Sequence, residues 1–213
     1  NYEFVPVRAL SHPETAENST DVSIFHVFYV QQRISDVPEL ADEIRLMKQF
    51  LKVQGLYGAE SYLQGFSGHV VDILVLYYGS FVKVLDAAKN WSLPVLVDIT
   101  GTYSSYDAAV ETMGTDKRSS LLVVDPILPQ RNAAKALSLE NLVRFQLLAK
   151  HMTTLGEDAF TIRYPTRKSL DAEARRFCRE HGLYCIRMLV KIDISTEVSE
   201  DIMGSKLLKA YER

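Results

Sequence analysis

Two neighbouring stretches decide the fold of this chain: LMKQFLKVQGLYGAE at Leu46–Glu60 and GFSGHVVDILVLYYGSF at Gly65–Phe81. The first completes an amphipathic helical pattern that stops at Gly55, because glycine is the usual residue just past a helix C-terminus. The second stretch is apolar on nearly every side, which is typical of a helix buried among other helices. The sequence therefore predicts a helical core in which two helices are joined by a Gly/Tyr-rich turn.

Capping residues predict where these helices begin and end. Asp36 is the predicted cap of the first helix, with Pro38 in its first turn. Its predicted buried stripe consists of Leu40, Ile44, Met47 and Leu51. Ser67 is predicted to cap the second helix, which Gly79 ends, and Ser80 is predicted to cap a third. Residues 8–20 read as a polar loop that follows a strand at residues 2–7.

The second half of the chain adds strands to this helical pattern. Pro94–Ile99 and Leu121–Asp125 are short apolar runs that predict buried strands, and a Gly/Ser/Asp-rich segment separates them. Ser138 is a predicted cap for a fourth helix. Beyond Gly156 the pattern predicts strand, helix, strand and helix, at 160–164, 171–181, 183–194 and 197–211. The predicted fold class is α+β.

The composition excludes several classes of protein. The 213 residues are 47% hydrophobic and 24% charged, which excludes a disordered or fibrous chain. A net charge of -3 argues against general nucleic-acid binding, which depends on clustered Lys and Arg. One local cluster reads either as an RNA-binding face or as a solvated helix face, and it consists of Arg163, Arg167, Lys168, Arg175, Arg176 and Arg179.

The cysteines and the apolar runs bear on the compartment. Cys178 and Cys185 have no second pair, so neither a disulfide framework nor a zinc site is indicated, and we predict a cytoplasmic protein. The longest apolar run, Val70–Tyr78, is much shorter than the ~20 residues of a membrane span. No signal-peptide pattern opens the chain. We therefore expect no membrane partner.

Two motifs in the same order identify a family. The 46–81 region resembles the nucleotide-pocket helices of the archaeal, class I CCA-adding tRNA nucleotidyltransferases, a branch of the polymerase-beta-like superfamily. VVDPILPQRNAAKALSLEN at Val123–Asn141 resembles that family's VDPxxxxRNVAxxLSLxN run. The resemblance implies a nucleotide-pocket domain like that of poly(A) polymerases and oligoadenylate synthetases, followed by a truncated α/β RNA-binding body. The implied domains are the last strand and loop of a catalytic head (1–30), the helical pocket domain (31–155) and a partial body (156–213).

The resemblance also implies a function. Such an enzyme adds C, C and A to the tRNA 3′ end from CTP and ATP, so the implied partners are the tRNA acceptor end and these nucleotides. Because most of the head has no counterpart here, we expect this chain alone to be inactive and to need a separate head-containing polypeptide; a homodimer is a further alternative. Two other interpretations stay open: a noncatalytic RNA-binding or scaffolding remnant, and a poly(A) polymerase-like relative. The RNAA run at Arg131–Ala134 favours the tRNA enzyme.

Lys48 and Tyr57 match the family residues that bind the triphosphate. A Lys ammonium is a compact donor for phosphate oxygens, and a Tyr hydroxyl donates one directed bond. Without the resemblance, Lys48 would read as a lysine at the helix edge and Tyr57 as a packing aromatic. Lys48 flanks the apolar stripe rather than joining it.

Ser23 and His26 lie in STDVSIFH, which resembles the family's Asp-Arg-Thr-Pro-Phe-His element. There the Thr hydroxyl touches phosphate and the His approaches the nucleotide, and Ser23 retains the hydroxyl. Val22 and Ile24 replace the family's Arg and Pro. The alternative for His26 is a partly buried structural histidine.

Arg131 matches the family's arginine that faces the base of the incoming nucleotide. With phosphates of the RNA, that arginine distinguishes C and A from G and U, a task suited to the fixed donors of a guanidinium. The alternative is an ion pair between Arg131 and Asp125 across a loop. Asn132 and Asp125 are predicted to hold this loop.

Glu3 aligns with the family aspartate that is the third of three carboxylates holding two Mg²⁺ ions. The longer side chain is a departure, since Mg²⁺ demands strict geometry. Nothing in the chain resembles the other two carboxylates, which belong to the family's head domain. Mg²⁺ is therefore expected only through such a head.

Overall fold

A computed structural model describes residues 7–17, 19–161 and 167–184, together with residues 204 and 206. The chain divides into two compact units, Asn1–Phe160 and Thr161–Arg213. The elements of the first unit are α1 (Ser19–Asp36), α2 (Leu40–Val53), α3 (Gly68–Tyr78), α4 (Phe81–Ala88), β1 (Val95–Val97), α5 (Tyr106–Met113), β2 (Leu121–Val123) and α6 (Leu139–Leu155). The α+β prediction is confirmed, with helices dominating a two-stranded parallel sheet.

The core of the first unit forms where α3 packs against α1, α2 and α4, and α6 packs against α4. The predicted stripe of α2 is buried throughout, and Phe50 beside it is fully buried as well. Six of the eleven residues of α3 are buried, namely Val70, Val71, Ile73, Leu74, Val75 and Leu76. Phe66 meets Phe145 of α6 edge-on, with their ring centroids 5.0 Å apart. Burial of α3 by several neighbours explains its apolar character on all sides.

The predicted serine caps are confirmed. Ser67 Oγ accepts a hydrogen bond from the backbone N–H of Val70, and Ser80 and Ser138 cap α4 and α6 in the same way. Gly79 ends α3 with a φ of 89°, a conformation that favours glycine. These four residues fix the ends of the helices that surround the core.

The predicted structure of the segment before α2 was wrong. Residues 19–36 form an 18-residue helix, whereas residues 8–20 were predicted as loop and no helix was predicted before Asp36. Asp36 is the last residue of α1, and α2 begins at Leu40 without a side-chain cap. Apolar residues of α1 such as Val27 and Phe28 are exposed, so they do not combine with buried ones into one recognisable stripe. Ser105 caps α5, which was not predicted either.

The two predicted strands are confirmed and pair in parallel. Val95, Leu96 and Val97 face Leu121, Leu122 and Val123 in register. Parallel strands bring their carboxyl ends to one edge of the sheet. Asp98 follows β1 there, and Asp125 lies two residues beyond β2.

The second unit contains α7 (Arg167–Glu180), which ends before Gly182 as predicted; that glycine has a φ of 65°. Exposed basic residues on α7 are Lys168, Arg175, Arg176 and Arg179. The predicted strand at residues 2–7 and most of the predicted elements after Glu180 lie outside the described residues. The strand predicted at 160–164 does not begin at Phe160, because this residue is in a 3-10 turn. None of the helices in the described ranges combines the length and apolarity needed to cross a membrane.

Candidate nucleotide site

Asp125 is the centre of the candidate site, and its side chain is fully buried. His26 Nε2 lies 3.0 Å from both carboxylate oxygens, although the two residues are 99 positions apart. The backbone N–H groups of Ile127 and Leu128 donate to Oδ1, and Arg131 donates to Oδ2 over 3.2 Å. Burial opposes ionisation, but the hydrogen bond from His26 and the proximity of the His69 imidazole outweigh it, so the pKa of Asp125 lies well below the usual range.

A second histidine packs on the first. The ring of His69, in the first turn of α3, stacks on that of His26 with centroids 3.8 Å apart. His69 Nε2 is 3.7 Å from Asp125 Oδ2, too far for a hydrogen bond, and it is buried without another partner among the described residues. The stack brings α1, α3 and the loop after β2 together.

A cavity of about 300 Å³ opens beside these histidines, and its polar lining consists of Ser23, His26, Gln31, His69 and Asp72. Asp72 of α3 pairs with Lys48 of α2, with Nζ and Oδ1 2.8 Å apart. Burial raises the pKa of Asp72, and the hydrogen bond from Lys48 offsets part of that rise. The partly exposed ammonium group of Lys48 is therefore next to the cavity, because its partner Asp72 lines it.

Tyr57 approaches the start of α3. Its hydroxyl lies 2.9 Å from the position that a β-carbon on Gly68 would occupy. That separation is shorter than real β-carbon contacts, so a side chain at position 68 would have to displace this hydroxyl. Tyr57 is therefore next to the turn that carries His69.

Arg131 is held in a tight loop. The backbone N–H of Asp125 donates to the carbonyl of Arg131, and the guanidinium returns to the carboxylate of Asp125. The Arg131 side chain is still 41% exposed. Asn132 Oδ1 accepts from the backbone N–H groups of Val123 and Ala134, so the predicted loop-holding role of Asn132 is confirmed.

The structure thus connects four of the five predicted nucleotide-binding residues: Ser23, His26, Lys48 and Arg131. His26 and Arg131 both contact Asp125. Ser23 lines the same cavity as His26 and Asp72, and Asp72 pairs with Lys48. Tyr57 lies against Gly68, the residue before His69. Glu3, predicted as a catalytic and metal-binding residue, lies outside the described residues. The predicted alternative for Arg131, an ion pair with Asp125, is present. Whether these residues bind nucleotide stays a prediction.

Three features of the site were not predicted from the sequence: His69, Asp72 and the link from His26 to Asp125. A helix cap at Ser67 places His69 in the first turn of α3, where a polar residue in an apolar run is a usable signal. Its pairing with His26 depended on α1, which was not predicted. Asp72 interrupts the same apolar run, but only the structure pairs it with Lys48.

His26, His69 and Asp125 are also the group that comes closest to a metal site in the described part of the chain, with one ligand atom from each within 4.8 Å of the others. This set does not fit Mg²⁺, which prefers oxygen ligands. The Asp125 oxygens already accept bonds from two backbone N–H groups and two side chains, including the cationic Arg131. We therefore assign no metal-dependent step to this cluster.

The chain is similar to known proteins over nearly its whole length. The chain is 29% identical over 211 residues to the CCA-adding enzyme of Saccharolobus shibatae, and 31% identical over 212 residues to that of Sulfurisphaera tokodaii. Each match covers 99% of this chain but 45% of the relative, so the chain spans less than half the length of these proteins. A family model described as the second domain of tRNA nucleotidyltransferase matches residues 42–161, which carry most of the site. The chain belongs to this tRNA nucleotidyltransferase second-domain family.

Proposed function

We propose that the first unit forms the nucleotide pocket of an enzyme that adds C, C and A to the 3′ end of tRNA, taking CTP and ATP as substrates. The observation that carries the proposal is the buried Asp125 carboxylate. It joins His26, which is predicted to approach the nucleotide, to Arg131, the predicted reader of the base. His26 and Arg131 are far apart in sequence and have separate predicted roles toward one ligand. Both nevertheless bond to the same carboxylate.

The phosphates of the nucleotide would lie in the cavity at the start of α3. Lys48 supplies an ammonium group, and Ser23 and Tyr57 supply hydroxyl donors. The N-terminal end of α3 adds partial positive charge from its backbone N–H groups. Because Lys48 is paired with Asp72, phosphate binding requires it to share or exchange that partner.

The base would meet Arg131. One end of its guanidinium is fixed on Asp125, and the rest of this partly exposed group remains close to solvent. A fixed guanidinium presents N–H donors in one orientation, which matches acceptor atoms on the edge of C or A. Discrimination would then depend on orientation as well as charge.

Catalysis would need carboxylates and Mg²⁺ from a head domain, because the His26–His69–Asp125 cluster does not fit that ion. The tRNA acceptor end would be the second substrate, with the exposed basic residues of α7 as candidates to contact its phosphates. We keep the cytoplasm as the predicted compartment and a head-containing polypeptide as the predicted partner. The relatives are named as CCA-adding enzymes, which supports this proposal.

Reconstitution tests the proposal. Mixed with a head domain of this family, the chain should restore addition of C and A to tRNA that lacks its 3′ end, and the chain alone should add nothing. If a head shown to associate tightly gives no incorporation, the noncatalytic remnant interpretation is favoured. Incorporation of A alone, on RNA of any sequence, would favour the poly(A) polymerase-like alternative.

A further inference from the structure

We propose that Asp125 is a positioning residue that sets the orientation of both His26 and Arg131, and so couples phosphate binding to base selection. The inference rests on the proposed function and assigns a role to a residue that touches neither phosphate nor base. Asp125 would act through its two partners, and its carboxylate would remain buried when the nucleotide is bound.

The first step concerns the proton on His26. The Asp125 carboxylate is ionised and can only accept hydrogen bonds, so the Nε2 atom of His26 must carry the proton between them. Nδ1 is then the ring nitrogen left to face a ligand. A phosphate oxygen needs a donor, so its binding requires a second proton on Nδ1.

The second step concerns how firmly the ring is held. His26 is only 9% exposed, and its face is covered by the ring of His69. The bond to both oxygens of Asp125 fixes the rotation of the ring, and the stack fixes its plane. The backbone N–H groups of Ile127 and Leu128 in turn fix the carboxylate.

The third step concerns Arg131. Its guanidinium bonds to Oδ2, one of the same two oxygens that His26 approaches. A change in the carboxylate should therefore alter the orientation of both His26 and Arg131. Neither His26 nor Arg131 alone has this property, so variants of the three residues should give three different patterns.

The experiment uses the full chain and two ligand readouts by calorimetric titration. The first is the affinity for inorganic tripolyphosphate, which has no base, and the second is the ratio of CTP to UTP affinity with tRNA that lacks its 3′ end present. We expect His26→Ala to weaken tripolyphosphate binding and to leave the ratio unchanged. Arg131→Ala should lower the ratio and largely spare tripolyphosphate. Asp125→Asn should do both, with a roughly tenfold loss for tripolyphosphate, the size expected when a charge-assisted hydrogen bond is lost.

Asp98→Asn is the matched control. Asp98 also follows a strand of the sheet and accepts backbone N–H groups, from Thr100, Gly101 and Tyr103, so it tests loss of a loop-holding carboxylate. An equal effect of both variants, or an effect of Asp125→Asn on one readout alone, overturns the positioning role. A wild-type chain that binds neither tripolyphosphate nor CTP overturns the proposed function, and the inference with it.

A measurement on the wild-type chain does not depend on folded variants. Nitrogen NMR of the imidazole rings reports which nitrogen carries the proton. We expect Nε2–H for neutral His26, and protonation of Nδ1 when tripolyphosphate is added. A neutral ring protonated at Nδ1 would overturn the inference.

Discussion

Lys48 forms an ion pair with Asp72 of α3, and this pair affects what the removal of Lys48 should do to binding and stability. Lys48→Ala should lower the affinity for tripolyphosphate and CTP roughly tenfold or more, since a hydrogen bond to a charged group contributes roughly 1.5–3 kcal/mol. Stability should fall only modestly, because Lys48 flanks the apolar stripe of α2 and both members of the ion pair are partly exposed. Calorimetric titration and thermal unfolding measure both. Lys89→Ala, in an exposed ion pair with Asp86, is the control.

Asp72→Asn should have the opposite effect on binding. The variant removes a negative charge that competes with phosphate for Lys48, so we expect tripolyphosphate to bind several-fold more tightly, a gain of about 1 kcal/mol. Opposite signs for the two halves of one ion pair are not expected of a purely structural pair. Equal losses in both variants, measured by the same titration, would return Lys48 to the helix-edge interpretation. Asp86→Asn is the matched control.

Arg131 is both an ion-pair partner and a candidate reader of the base. In the reconstituted enzyme, Arg131→Ala should reduce the preference for CTP and ATP over UTP and GTP by roughly 1–3 kcal/mol, by analogy with bidentate base contacts. Arg131→Lys should not restore it, since an ammonium group cannot reproduce two oriented bonds. The measurement is the ratio of correct to wrong nucleotide incorporated. Unchanged ratios with a lowered melting temperature would mean a structural role only.

At the scale of elements, the start of α3 depends on the contact between Tyr57 and Gly68. Gly68→Ala should destabilise the chain, by about 1 kcal/mol, because the added β-carbon meets the Tyr57 hydroxyl at 2.9 Å. In a Tyr57→Phe background the same change should be neutral or stabilising, since the nearest remaining ring carbon is 3.8 Å away and alanine favours helix over glycine.

A double-mutant cycle on chemical unfolding measures this coupling. The same variants report on function, because displacement of the Tyr57 hydroxyl should also weaken tripolyphosphate binding. Additive stability changes would show that the two groups do not contact each other in solution.

Elements with one strong local signal were predictable from sequence. Serine caps and glycine stops fixed α3 and α6, and β-branched runs fixed the two strands. The helix α1 was not predictable in this way, because its exposed apolar residues, such as Phe28, obscure the stripe that faces the core. That miss hid the site as well, since His26 could be paired with Asp125 only after α1 had been placed. Contacts across 99 residues leave no periodic trace in a sequence.

At the scale of the whole molecule, Asp125 should make stability depend on pH. Its pKa is lowered in the folded state, while an unfolded Asp titrates near about 3.9. Below that pH the unfolded chain binds a proton that the folded chain does not, so stability is present above it and is lost as pH falls. Asp72 acts in the opposite sense, because its raised pKa favours proton uptake by the folded state at pH values above about 3.9.

The two contributions can be separated by measuring the free energy of unfolding from pH 6 downwards. Trp91 is the only tryptophan in the sequence, and it donates a hydrogen bond to Tyr78 in the first unit, so its fluorescence reports on the unit that holds the site. Below about pH 4, the wild-type free energy of unfolding should fall more steeply than that of Asp125→Asn, by up to about 1.4 kcal/mol per pH unit. For Asp72→Asn, the free energy of unfolding should still fall steeply below about pH 4, and only the opposing contribution of Asp72 above that pH should disappear. Parallel curves for wild type and Asp125→Asn would mean that this carboxyl does not hold its charge through the acid range, and would remove the electrostatic basis for its hold on His26 and Arg131.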